Sequence, residues 1–231
     1  MDIVLVHRSY HGAWCWDLLT PELEALGHRA IAVELPITDP TAAGEAYADV
    51  VVDALRDTAD PILVGHSMAG LVIPIAAARH PVRRLVFLAA MLPIPGMSMN
   101  DQRAREPVDG LIPPVTAEWT ALGDDVWMVG PATATELFFH DAPPATVAWA
   151  TARLRPQSYR VMNEPTPLEA WPSVPVTSIV CRDDHALNPE WGRTAARNRL
   201  GVEALEIGGS HSPFLTRPGE LAAMLDEIAS G

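Results

Sequence analysis

Ser67 is the residue around which this sequence arranges its chemistry. It stands in Gly65-His66-Ser67-Met68-Ala69-Gly70, directly after the apolar run Ile62-Leu63-Val64 and before an Ala-rich apolar stretch long enough for a helix. A buried strand, a sharp turn with Ser at its apex, and a helix make a nucleophile elbow. The turn strains the Ser backbone, so the residues two before and two after it must be small. Gly65 meets that demand, Ala69 stands where the usual pattern has Gly, and Gly70 is expected to add slack. A serine hydroxyl is nearly always protonated and needs a base before it can attack. The histidines beyond the elbow helix are His140, His185 and His211. In a sheet carrying such an elbow the acid follows the Ser and the His comes last. His211 lies in the Gly-rich loop Gly208 to Pro213, at the carboxyl edge where parallel sheets place their sites, and is the expected base. The acid is expected after the run Val174 to Cys181. Asp183 and Asp184 both stand there, and spacing alone does not choose between them.

Acyl transfer also needs donors for an oxyanion. The backbone N–H of Met68, next after the nucleophile, is one candidate, and Ser9, in the loop after the first strand, is the other. The same loop holds His7 and His11, read mainly as supports for loop backbone, and Arg8, one residue from Ser9. Arg8, His11, Trp14, Trp127 and Phe138 are the candidates for lining a substrate pocket. Arg8 either faces the entrance, favouring a substrate with a carboxylate or another electron-rich oxygen, or turns away to pair with a carboxylate such as Asp39. The Cys181-Asp183-Asp184-His185 cluster has no further ligand at usable spacing, so no metal is expected.

The elements that must position these residues alternate. Strands are predicted at Ile3–Val6, Ala30–Val33, Ile62–Val64, Leu85–Leu88, Val174–Cys181 and Glu203–Ile207. Helices are predicted at 17–26, 41–58, after the elbow, from Asn188 to about Asn198, and over 214–229. Pro74 inside the elbow helix removes a hydrogen bond to the Gly70 carbonyl and predicts a kink. Strands alternating with helices imply a parallel sheet covered on both faces. From 93 to 172 the alternation stops and Pro, Met and Trp become frequent. That is too long for a loop, so residues 93–172 are read as a helical cap inserted into a core of 1–92 and 173–231.

The 231 residues suit one α/β domain with an insertion, and 48% hydrophobic content supports a sizeable core. The net charge of −13 disfavours nucleic acid and anionic membranes as partners. All 16 basic residues are Arg, which rules out lysine chemistry. Cys15 and Cys181 do not make a disulfide framework. There is no charged leader and no run of membrane-spanning length, so the expectation is a soluble cytoplasmic protein binding a small molecule, with homodimerisation open.

Val4-Leu5-Val6-His7, His11-Gly12-Ala13-Trp14, Gly65-His66-Ser67, Phe87-Leu88-Ala89-Ala90, Phe138-Phe139 and the His211 loop resemble the plant methyl esterase and hydroxynitrile lyase branch of the α/β-hydrolases. The resemblance covers nearly the whole chain. It implies an α/β-hydrolase fold, with a mostly parallel six-stranded sheet and a cap after the fourth strand. It further implies a cofactor-free enzyme acting on small esters or cyanohydrins, with Ser67 as nucleophile, His211 as base, Asp184 as acid, and Ser9 and Met68 as oxyanion donors. Asp184 is also favoured because the apolar part of His185-Ala186-Leu187 can tuck the loop inward and bury it. Two departures stand out. Esterases of this branch carry Gly, and lyases Thr, where this chain has Arg8, and the lyases place Lys where this chain has Ser212. The leading expectation is a serine hydrolase of small carboxylic esters, lactones or thioesters. The alternatives are a C–C lyase or other cofactor-free biosynthetic enzyme on the same triad, and a non-catalytic small-ligand receptor.

Overall fold

The computed structural model describes residues 1–106 and 118–231. Six strands form one sheet: β1 (Asp2–Val6), β2 (Arg29–Val33), β3 (Ile62–His66), β4 (Arg84–Leu88), β8 (Val176–Cys181) and β9 (Leu205–Ile207). Their spatial order is β2-β1-β3-β4-β8-β9, and every pairing is parallel. Successive side chains of a strand point to opposite faces, and here both faces are buried. Val4, Val6, Leu63 and Leu85 pack one way, against Tyr47, Val51 and Leu55 of α2 (Gly44–Leu55). Ile3, Leu5, Val64 and Val86 pack the other way, against Leu23 of α1 (Thr20–Ala25) and Leu221 and Leu225 of the C-terminal helix. A strand buried on both sides reads as a continuous apolar run, which is why these strands stand out in the sequence.

The elbow helix is broken, as Pro74 predicts. Ser67–Leu71 is a 3₁₀ turn, and α3 (Ile73–Ala77) starts afresh with Pro74 in its first turn. The closing helix is broken too, into α9 (Pro213–Thr216) and α10 (Pro218–Ser230). Pro218 disfavours helical backbone at the residue before it, and Arg217 lies at φ −141°. The helix opened by Asn188 is α8 (Pro189–Ala195), with the Asn188 side chain accepting from the Glu190 N–H.

Between β4 and β8 the chain is not helical throughout. It holds α4 (Met99–Arg105), α5 (Pro131–Phe138), α6 (Pro144–Thr151) and α7 (Arg160–Asn163), and also a three-stranded antiparallel sheet of β5 (Trp119–Gly123), β6 (Val126–Val129) and β7 (Gln157–Ser158). The last of these strands is two residues long, too short to leave a period-two pattern in the sequence. Residues 107–117 of the expected cap lie outside the described residues. No helix among those described is long and apolar enough to cross a membrane.

Gly70 supplies no slack. A Cβ built there would lie 2.0 Å from the Met91 carbonyl oxygen, because the chain after β4 crosses directly over the elbow, tied by Met91 N–H to Ser67 O at 2.9 Å. Backbone on both sides leaves nothing flexible to yield. Gly70→Ala is expected to destabilise by about 3 kcal/mol, the upper end of overpacking costs. Thermal melting checks this, and an unchanged melting temperature would show that the crossing is loose.

Candidate active site

Ser67 sits at φ +55°, in the left-handed region, at the junction of β3 and the 3₁₀ turn. A non-glycine residue there is strained, and such strain persists only where its surroundings enforce it. The enforcement is visible at Gly65, where a Cβ would stand 2.8 Å from Ile73 Cγ2 and 3.1 Å from the Ala69 carbonyl. The turn delivers Ser67 at the carboxyl edge of the sheet, 6% exposed. Met68 is the second residue of the 3₁₀ turn, where a backbone N–H has no preceding carbonyl within the helix to bond.

His211 comes to the same edge from the loop after β9. Its Nδ1–H donates to Asp184 Oδ2 at 2.6 Å, and both side chains are buried. The other oxygen, Asp184 Oδ1, accepts the N–H groups of Ala186 at 2.7 Å and Leu187 at 2.9 Å. That is the inward tuck expected of His185-Ala186-Leu187. Burial pushes the Asp184 carboxyl up, to about 7, against the pull of these two N–H groups and of the Arg8 charge. Burial and the Arg8 charge hold His211 well below the ordinary imidazole range. With Nδ1 carrying the proton, His211 Nε2 is a buried acceptor with no partner among the described residues. This is the tautomer a general base requires.

The His211 loop is fixed from three sides. His66 Nε2–H donates to the His211 carbonyl at 2.8 Å. Asp183 Oδ2 accepts the Gly209 N–H at 2.9 Å. Ser210 Oγ donates to the Phe138 carbonyl at 3.1 Å. Asp183 thus holds the backbone of the loop, and Asp184 holds its imidazole. His66 is a residue that sequence reasoning left unassigned. Its position between Gly65 and Ser67 tolerates many side chains, so no local signal marked it.

The loop after β1 is clamped as well. His7 Nδ1–H donates to the Arg8 carbonyl at 2.8 Å and its Nε2 accepts the Leu35 N–H at 3.0 Å, so His7 serves the backbone. Arg155 donates to the His11 carbonyl at 2.7 and 3.1 Å and pairs with Glu34, which also accepts the Ala13 N–H at 2.7 Å. Ser9 is buried in this loop, and its carbonyl accepts from His11 Nδ1 at 3.1 Å. Tyr10, at φ +65°, turns inward to meet Tyr159, hydroxyl to hydroxyl, at 3.1 Å.

The pocket candidates separate. Phe138, from the end of α5, stands 6.2 Å from the His211 ring and 6.1 Å from the His11 ring, centroid to centroid. Arg8 lays its guanidinium on the Phe138 face, 3.5 Å from the ring centroid. Arg8 does not turn out toward Asp39; it is 4% exposed. Trp14 stacks on the outer side of His11 and meets Trp149 edge to face. Trp127 meets Tyr159 edge to face. A cavity of about 450 Å³ lies elsewhere, lined by Thr41, Gly44, Leu71, Met97 and Arg160. No cluster that could hold a metal ion occurs among the described residues.

A strained serine and a histidine-carboxylate pair, both at the carboxyl edge of an all-parallel sheet, suit the α/β-hydrolase class, and residues 3–224 match the α/β hydrolase family, to which this chain belongs. Its relatives include methylesterase 3 of Arabidopsis thaliana, 30% identical over 99% of this chain and 95% of that protein, and salicylic acid-binding protein 2 of Nicotiana tabacum, 29% identical over 98% and 96%. Among solved structures, polyneuridine aldehyde esterase superposes with a TM-score of 0.83 at 23% identity, covering 99% of this chain and 98% of that one, which shows the fold. A pyrethroid hydrolase from Sphingobium faniae superposes at 0.80 with 25% identity, covering 100% and 98%. These relatives match the methylesterase branch that the sequence motifs resemble.

Proposed function

We propose that this chain, a carboxylic ester hydrolase of the α/β-hydrolase superfamily, cleaves small-molecule esters through an acyl-enzyme on Ser67. His211 Nε2 takes the Ser67 proton as Oγ attacks the ester carbonyl. Asp184 holds the imidazole in register and stabilises the imidazolium that forms. The Met68 N–H and Ser9 receive the oxyanion. Collapse of the tetrahedral intermediate expels the alcohol, protonated by His211. Water, deprotonated in turn by His211, then releases the acid and restores Ser67. The observation that carries this reading is the 2.6 Å His211–Asp184 contact, which leaves Nε2 without a partner among the described residues, in a loop at the same sheet edge as the strained Ser67.

The testing experiment is hydrolysis of 4-nitrophenyl acetate by wild type, Ser67→Ala and His211→Ala. Wild type is expected to turn over, and each variant to fall to about the buffer rate. Equal rates in all three would refute the reading. The same proteins are expected to release no cyanide from mandelonitrile beyond the Ser67→Ala control. Ser212, fully buried, stands where lyases of the resembled branch place the ammonium that supports departing cyanide. Ser67-dependent cyanide release would make the enzyme a lyase.

A further inference from the structure

Arg8 is a buried cation that makes no ion pair among the described residues. Its Nε and Nη1 are buried and make no hydrogen bond among the described residues. Asp184, the carboxylate whose charge acts on Arg8, is already engaged, giving one oxygen to His211 and the other to two backbone N–H groups. The Phe138 ring under the guanidinium offers its quadrupole, which attracts a cation but satisfies no N–H. A desolvated guanidinium with idle donors matches one ligand chemistry above others. A carboxylate presents two coplanar oxygens and brings the missing charge.

We propose that Arg8 anchors a free carboxylate carried by the substrate, so that the preferred esters are anionic, such as monoesters of dicarboxylic acids. This rests on the ester-hydrolase reading of the same site. Placement supports it. Phe138 carries the Arg8 guanidinium on its face and stands 6.2 Å from the His211 ring, centroid to centroid, so a single ring links the anchor to the base. Recognition of the anion has to be local, because the net charge of −13 repels anions at long range. The pairing also helps the chemistry. The Arg8 charge opposes protonation of His211, and the imidazolium must form in the reaction. A carboxylate seated on Arg8 cancels that opposition at the moment of turnover.

Two matched pairs of esters test this. Mono-4-nitrophenyl glutarate against 4-nitrophenyl pentanoate puts the charge on the acyl side. 4-Carboxyphenyl butyrate against phenyl butyrate puts it on the leaving group. The readout is the ratio of kcat/KM, anionic over neutral, in wild type, Arg8→Gln and Arg8→Lys. For at least one pair the ratio is expected to fall about 30- to 100-fold in Arg8→Gln, the size of lost charge-assisted hydrogen bonds, and to recover in part in Arg8→Lys. An unchanged ratio in both pairs overturns the proposal and leaves the hydrolase reading standing. Glutarate binding to Ser67→Ala, followed by calorimetry with and without Arg8→Gln, separates the two claims. Arg8-dependent binding in a protein whose wild type hydrolyses no ester would sink the hydrolase reading and keep the anion site. Binding indifferent to Arg8 counts against the anion site.

Discussion

Asp184→Asn is expected to lose about four orders of magnitude in kcat while melting like the wild type. Asn is nearly isosteric with Asp, and its side-chain oxygen can go on accepting from the Ala186 and Leu187 N–H groups. What the variant loses is the charge and the tautomer. Facing an amide NH₂, His211 turns its unprotonated nitrogen to that amide and points an N–H at Ser67, the wrong group for a base. In a well-studied triad the same substitution costs about 10⁴. Asp183→Asn is the control, because its contact is with the Gly209 backbone and an Asn oxygen can still accept that N–H. A loss under about tenfold is expected there. If Asp183→Asn is the dead variant, the acid has been misassigned.

Stability is expected to fall steeply on mild acidification. His7, His11 and His66 are fully buried, and burial holds each below the ordinary imidazole value of 6.5, His7 at about 4. A histidine with a depressed folded pKa binds its proton mainly on unfolding, so its contribution is present above pH 6.5 and is lost as pH falls from there toward the folded value. At pH 5.5 the three together cost about 4 kcal/mol. Asp184, raised by burial, works in the opposite sense, and its partner His211 in the same sense as the other three, so the pair offsets in large part. For a domain this size, a loss of about 4 kcal/mol lowers the melting temperature by roughly 8–16 °C between pH 7.5 and 5.5. Calorimetry at both pH values checks it. A flat profile would mean that these histidines are hydrated or already charged.

Much of this was legible in the sequence, and the reason is physical. β1, β3 and β4 are buried on both faces, so they read as unbroken apolar runs. Gly65 and Ser67 answer to a turn that few residues tolerate. Asn188-Pro189 marks a helix start by capping chemistry. The parts that were not legible depend on contacts between distant segments. Gly70 reads as slack until Met91 crosses it. His66 reads as filler until the His211 carbonyl arrives beside it. The antiparallel sheet of the insertion joins Trp127 to Gln157, thirty positions apart in the numbering, through a two-residue strand with no pattern of its own. Arg8 lay between these cases. Its oddity was visible in the sequence, but its direction was set by Phe138, 130 positions further along the numbering.

The most direct test of the central claim is the site of covalent capture. Wild-type protein treated with a fluorophosphonate is expected to gain one adduct, with the label on the peptide carrying Ser67. Ser67→Ala is expected to gain none, and His211→Ala to label far more slowly. Labelling that survives in Ser67→Ala, or a wild type that stays unlabelled while hydrolysing esters, would contradict a Ser67 acyl-enzyme.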